Sequence, residues 1–307
     1  MIEKKETKNN RLLSIFEQLS RGEQPSKQEL AEKYGVSERA IQRDISQLKD
    51  YFKYCTLEGS KAKLKNDPKT NRYYLKRDEN IFLNQKEIFA LSKILLESRA
   101  FNKKELEQLL DKLLKLTIAE KPIRRSIENE RHHYVEPQHG AYLLDSIWQL
   151  FEYIKEQRLI EMDYKRQDGS LNRRKVKPVA IMFSEYYFYL VCYMAEMTLD
   201  SPTIFRIDRM SNIKPLEETF RVNYAERFQE GEFRKRVQFM YGGELKKVKF
   251  RYKGPSAEAV LDRLPTAVSK KESEGVWLFE AEAYGEGINM WLKSQGDRVE
   301  LLNVAKY

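Results

Sequence analysis

Arg39, Gln42, Arg43 and Ser46 recur at helical spacing within SERAIQRDISQLKDYF, residues 37–52, and their side chains are of the kind that read DNA. Arg can donate bidentately to guanine, Gln can pair with adenine, and Ser can contact base edges or phosphates. Ile41, Ile45, Leu48 and Phe52 share the other face, which leaves the polar set pointing outward. Ser37 sits where an N-cap is needed, and a helix N-terminus also favours a phosphate. Further on, Lys61, Lys63, Lys65, Lys69 and Arg72 alternate with other residues around an Asn66-Asp67-Pro68 turn. That pattern predicts a two-stranded wing with cations toward a phosphate backbone.

The flanking elements have to hold that helix in place. Leu12, Ile15, Phe16 and Leu19 mark a first helix closed by Arg21-Gly22. Ser26-Lys27-Gln28-Glu29 is a capping box that starts a second helix, with Leu30 and Ala31 inward. Gly35 in Tyr34-Gly35-Val36 supplies the positive φ that ends it. Two short helices around a Gly-containing turn predict a helix-turn-helix whose second helix enters the major groove. A plain three-helix bundle with a charged surface is the simpler reading, but it leaves the caps, the basic outer face and the wing unexplained.

The charge distribution agrees. The chain has 307 residues and a net charge of +9, of which residues 1–77 carry +7 through 18 Lys/Arg and 11 Asp/Glu. The remainder is nearly balanced, with two basic runs at 165–177 and 246–253 that also read as solvated strand faces. The length suggests two or three domains, and no apolar run approaches the ~18 residues that span a bilayer. MIEKKETKNN lacks the apolar region of a secretory signal, and two distant cysteines, Cys55 and Cys192, fit a reducing compartment. The expected location is cytoplasmic.

Asn84-Gln85-Lys86-Glu87 and Asn102-Lys103-Lys104-Glu105 read as capped starts of two helices, carrying Ile88, Leu91, Leu95 and Leu106, Leu109, Leu110, Leu113. A third helix is expected over 142–157 with Leu144, Ile147, Trp148, Phe151 and Ile154 as a core or dimer stripe. From Leu159 the period changes to two. Ile160, Met162 and Tyr164 alternate, Gly169 turns a basic hairpin, and Arg173–Pro178 returns. Strands follow at 180–183, 186–193, 203–208 and 213–216, which suggests a small antiparallel barrel. Tyr187, Tyr189, Val191 and Tyr193 share one face of the second of these. Beside the basic hairpin, such tyrosines can stack bases, or they can bury their rings and show only hydroxyls.

Enzymatic chemistry finds little footing. Glu161, Asp163 and Lys165 have the carboxylate-x-Lys spacing of a metal-dependent nuclease but lack a further upstream acid. Of His132, His133 and His139, the adjacent His132 and His133 are expected to point apart, and neither cysteine lies nearby, so no metal site and no cofactor are predicted. Phosphate-cradling, nucleophile-elbow and zinc-helix motifs are absent from the sequence, and Gly-Glu-Gly at 285–287 lacks a third glycine.

Three stretches resemble known families. ELAEKYGVSERAIQRDISQL, residues 29–48, resembles the winged helix-turn-helix of DeoR-like bacterial regulators. Tyr164, Arg174 to Pro178, Phe188-Tyr189-Leu190 and Phe205-Arg206-Ile207-Asp208-Arg209 resemble the WYL domain, with Phe188 where the family's namesake Trp stands. MWLKSQGDRVELL, residues 290–302, resembles the WCX extension that follows WYL domains. The resemblance implies an SH3/Sm-like β-barrel that senses nucleic-acid or nucleotide ligands. Arg206 and Arg209 are candidate contacts on that basis alone, with salt bridging to Asp208 as the competing role.

The expectation is therefore an α+β multidomain chain: a winged helix-turn-helix (1–78), a helical linker and dimerisation region (79–139), a WYL β-barrel (140–220) and a ferredoxin-like WCX domain (235–307). The function expected is sequence-specific DNA-binding transcriptional regulation without enzymatic activity. The partners are a duplex operator with palindromic half-sites, a second copy of the chain, and an oligonucleotide or nucleotide-like effector. Tyr164, Arg173, Arg174, Lys177, Tyr187, Tyr189, Arg206 and Arg209 are the effector candidates. A non-regulatory nucleic-acid accessory module is the alternative from another class, and a metal-dependent nuclease is a third.

Overall fold

A computed structural model describes residues 8–20, 22–54, 62–77, 83–115, 121–196, 202–221 and 228–306. The chain divides into two compact units, residues 1–99 with 103–135, and residues 100–102 with 136–307.

In the first unit, α1 (Lys8–Ser20), α2 (Lys27–Tyr34) and α3 (Glu38–Tyr54) enclose a core of Ile15, Leu19, Leu30, Ile41, Ile45, Leu48 and Phe52. Each fully buried aliphatic side chain there contributes about 1.5–3 kcal/mol. The capping box forms as the sequence requires: Glu29 N–H donates to Ser26 Oγ and Ser26 N–H to the Glu29 carboxylate. Gly35 ends α2 at φ 60°, donating its N–H to Ala31 and Glu32 carbonyls. The wing is β1 (Ala62–Asp67) against β2 (Arg72–Arg77), with Leu64 and Tyr73 turned into the three-helix core. Asp67 organises its turn by accepting from Lys69 N–H and the Thr70 hydroxyl.

One feature of this core has no local signal in the sequence. Arg11 Nε donates to Asp44 Oδ2 at 2.6 Å between α1 and α3, and both side chains are buried. Asp44 lies on the recognition helix between Arg43 and Ile45, so this pair fixes the rotation of α3 against α1.

The same unit holds α4 (Gln85–Ser98), α5 (Lys103–Lys115) and α6 (Lys121–His132). Asn84 caps α4 with the expected Glu87 box. No apolar stripe announces α6, because Ile127 is the buried one of its described side chains and five of the others, Arg124, Arg125, Glu128, Glu130 and Arg131, are charged. Charge is what holds it: Lys93 of α4 pairs with Glu130, and Arg131 meets Asp111 of α5 at 2.6 Å. His132 and His133 do not point apart as expected, since their rings meet edge to face with centroids 5.0 Å apart.

The second unit begins with α7 (Leu144–Lys155), shorter than the expected 142–157. Leu150 is its buried residue, whereas Trp148 and Phe151 are exposed, so the expected stripe is only half inward. Then β3 (Arg158–Lys165), β4 (Leu171–Ser184), β5 (Tyr187–Met194), β6 (Thr203–Arg206) and β7 (Met210–Thr219) form one antiparallel sheet in the order β6-β5-β4-β3-β7.

This sheet is open, which corrects the expected barrel: among the described residues no ladder joins its edges, β6 and β7. It curls strongly all the same. Tyr164 on β3 stacks edge-on against Phe205 on β6, centroids 4.7 Å apart, with two strands between them. The strands expected at 173–178 and 180–183 are one strand, β4, interrupted by a bulge between Pro178 and Ala180. Proline cannot donate to a ladder, and the bulge accommodates it inside a central strand. The strand expected to reach Asp208 stops at Arg206 in a 3-10 turn, Ile207–Arg209.

After α8 (Glu230–Arg236) come β8 (Leu245–Lys253), α9 (Glu258–Arg263), β9 (Val268–Ser273), β10 (Val276–Tyr284), α10 (Gly287–Ser294) and β11 (Val299–Lys306). The sheet order is β11-β8-β10-β9, all antiparallel. Phe250, Phe279, Trp291 and Leu292 centre its core under the two helices.

Candidate nucleic-acid interface

Ser37 Oγ accepts the Ala40 N–H at 3.3 Å and so opens α3 as the sequence requires. Arg39, Arg43 and Ser46 are exposed on the helix, away from Ile41, Ile45 and Leu48. Arg39 and Arg43 form no ion pair with a described residue, so both guanidinium forks are available. Gln42 is only half exposed, and its side-chain carbonyl accepts from the Tyr73 hydroxyl at 3.5 Å. That contact ties one end of the amide to the wing and leaves the NH2 group for a base edge.

On the wing, Lys63 and Lys65 lie on the face opposite Leu64, and Lys69 is exposed at the turn. Lys61 lies outside the described residues. Lys63 stands directly across from Lys76, a residue the sequence reading passed over. Like charges directly opposite each other repel, so this pair is a standing demand for an anion. The register could have revealed it, because Lys76 alternates with Tyr74 as Lys63 does with Lys65.

Arg72 is differently placed. Its guanidinium grips the Glu29 carboxylate and donates to Gln24 O at 2.6 Å, pinning the wing to the start of α2. The Ser26 N–H and Arg72 together hold the Glu29 carboxyl below the usual range. Arg72 thus positions the wing, with less freedom for phosphate than the lysines have.

The effector candidates do not gather on one surface. Residues directly opposite in a ladder share a face. By that rule Tyr164 and Arg174 lie with Ile160 and Met162, whereas Arg173, Lys177, Tyr187, Tyr189 and Arg206 lie on the other face. Arg206 is held at every end. It forks onto Asp208 at 2.8 and 3.0 Å, its guanidinium carbon sits 3.3 Å above the Tyr187 ring centroid, and its N–H donates to the Tyr164 hydroxyl at 3.4 Å. Burial alone would lower the Arg206 pKa, but the Asp208 hydrogen bonds outweigh it and hold the value above the ordinary one. Arg206 therefore covers the Tyr187 face on which a base would have stacked. Tyr189 is half-buried, and loss of solvent pushes its hydroxyl pKa up to about 12.

Arg173 lies between Asp163, at 3.4 Å, and Glu161, at 3.7 Å. Asn212 and then Arg173 hold the Asp163 carboxyl low. Both carboxylates of the nuclease-like triplet are thus engaged by a cation of the same sheet. Arg174, Lys177 and Arg209 make no ion pair with a described residue, and Lys177 lies directly across from Tyr193.

Among the described residues, no group of three or more His, Cys, Asp or Glu residues is placed to hold a metal ion, and no helix is long and apolar enough to cross a membrane. Cys192 is buried within the sheet, which raises its thiol pKa.

Among solved structures, proteasome accessory factor B/C (PafBC) of Arthrobacter aurescens is similar over 97% of this chain and 46% of its own, with 16% identity and a TM-score of 0.31. The chain thus spans less than half the length of that relative. A CRISPR Cas-related protein is similar over 87% of this chain and 68% of its own, with 15% identity and a TM-score of 0.37. No curated protein matches. Residues 11–63 match the HTH domain family, and residues 146–215 match the WYL domain family. The chain thus carries an HTH-domain match near its N-terminus followed by a WYL-domain match.

Proposed function

We propose that the protein is a sequence-specific DNA-binding transcriptional regulator without enzymatic activity, acting as a homodimer on a palindromic operator in the cytoplasm. One observation carries the reading: Arg39 and Arg43 stand exposed on the outer face of α3 with no ion pair to a described residue, beside a wing whose lysines repel one another. Arg43 and Arg39 read bases, Gln42 assists through its free NH2 end, and Ser37, Lys63, Lys65 and Lys69 meet phosphates. A gel shift comparing duplex DNA from the protein's own promoter with RNA of equal length tests it. Double-stranded RNA has a deep, narrow major groove that this helix cannot enter. Equal affinity for RNA would favour the accessory-module reading.

The WYL sheet, in this proposal, binds an oligonucleotide or nucleotide-like anion and biases the spacing of two helix-turn-helix units. Such coupling requires the effector to bind the two arrangements with different affinity. Arg209 and, on opposite faces of the sheet, Arg174 and Lys177 are the candidate cations without an ion pair to a described residue, whereas Arg206 and Arg173 already have carboxylate partners. The βαββαβ order and β11-β8-β10-β9 sheet of residues 245–306 support a ferredoxin-like WCX domain.

A further inference from the structure

The second unit contains a cavity, between the β4–β5 turn and the last 70 residues, that the DNA-binding reading does not use. It measures about 370 Å³ and is walled by Phe239, Tyr252 and Trp291, with Glu185, Arg263 and Gln295 around it. That volume is near the low end of ligand pockets, which run from roughly 300 to 1,000 Å³, and suits one ring system better than an oligonucleotide.

Three observations make this a formed site. First, the segment carrying Phe239 is fixed on both sides: Gln238 donates its side-chain NH2 to Arg263 O at 3.3 Å, and its carbonyl sits so close to Gly287 that a Cβ there would lie 1.9 Å away. Second, Glu185, Phe239 and Met240 all take positive φ, at 57°, 49° and 56°. Side-chain-bearing residues adopt that conformation at a cost, and such strain clusters at ligand sites. Third, Arg263 is under-used. Its guanidinium lies over the Phe239 ring at 4.8 Å, its Nε is buried with no acceptor, and its nearest carboxylate oxygen, on Glu185, is 3.6 Å away.

We propose that this cavity binds a planar heteroaromatic molecule with an acceptor and a donor adjacent on one edge. The ring lies among Phe239, Tyr252 and Trp291, where offset stacking and edge contacts are favourable. Its acceptor takes the Arg263 donors, and its N–H donates to Glu185. A loose Arg–carboxylate pair is complementary to such an edge, and the ligand completes both groups. Neither an aromatic carboxylate nor a donor-only ring satisfies both.

Calorimetric titration of the full chain with guanosine, indole and benzoate tests this. Guanosine offers an acceptor beside two donors, whereas indole offers only a donor and benzoate only an acceptor. Guanosine binds saturably, and the other two bind about tenfold or more weaker, the loss expected when a charged group is left unpaired. Arg263→Gln weakens guanosine by a similar factor. Ala259→Trp, made at an exposed position lining the cavity, fills it and abolishes binding. A thermal melt establishes that each variant is folded, and Ala259→Trp decides the matter if Arg263→Gln is not. Absent guanosine binding, equal binding of all three probes, or wild-type affinity in folded Ala259→Trp overturns the proposal.

Discussion

The cations of α3 and the cations of the five-stranded sheet differ in what they already touch. Arg39 and Arg43 have no carboxylate partner among the described residues, whereas Arg206 is forked onto Asp208 and Arg173 lies between Asp163 and Glu161. The sequence shows arginines in both places. Only the geometry separates arginines that await an anion from arginines already held by carboxylates of their own sheet.

The largest effect expected is on stability. Replacing Arg11 by Leu leaves Asp44 buried and unpaired, a loss of about 3–5 kcal/mol. Denaturant unfolding of the variant measures it, and an unchanged midpoint would show that the pair positions nothing. Arg206→Ala strands Asp208, whose side chain is 3% exposed, and should destabilise the second unit by about 1–3 kcal/mol. If Arg206→Ala instead melts like the wild type while effector response disappears, the contrast with α3 fails.

Binding effects come next. Arg43→Ala should cost about 1–3 kcal/mol at the specific site and little on random DNA, as measured by competition gel shift. Equal losses would place Arg43 on phosphate. Replacing Lys65 by Ala should weaken all duplexes alike and reduce the salt slope by about one. Arg174→Ala with Arg209→Ala should remove effector response and spare operator binding. A matching fall in both would make the sheet structural.

The smallest effect is a pH dependence. The Glu29 carboxyl is held below its ordinary value of 4.5, so its contribution is present above that value and fades as the pH falls through the lower folded value. Glu29→Gln should flatten the acid limb of the melting curve of the first unit, and an unaltered limb would assign it to other carboxylates.

The helix-turn-helix was legible because every device in it is local. The Ser26 box, Gly35 and the Ser37 cap act within four residues, and periodicity gave the buried faces. The sheet was legible only as strands. Whether it closes depends on β6 and β7 meeting across the curl, and the bulge after Pro178 joins what had read as two strands into one. Partners distant in sequence were invisible: Arg11 is 33 residues from Asp44, and Arg72 is 43 from Glu29. Helix α6 escaped because ion pairs with neighbouring helices hold it, and an apolar period does not mark it.

The facing Lys63 and Lys76 carry one further consequence. In the free protein, added salt screens their repulsion and steadies the wing, whereas in the complex the same salt competes with DNA for those lysines. Ionic strength therefore acts with opposite signs on the folding of the hairpin and on its grip, and the wing is at its least settled under the conditions in which it binds most tightly.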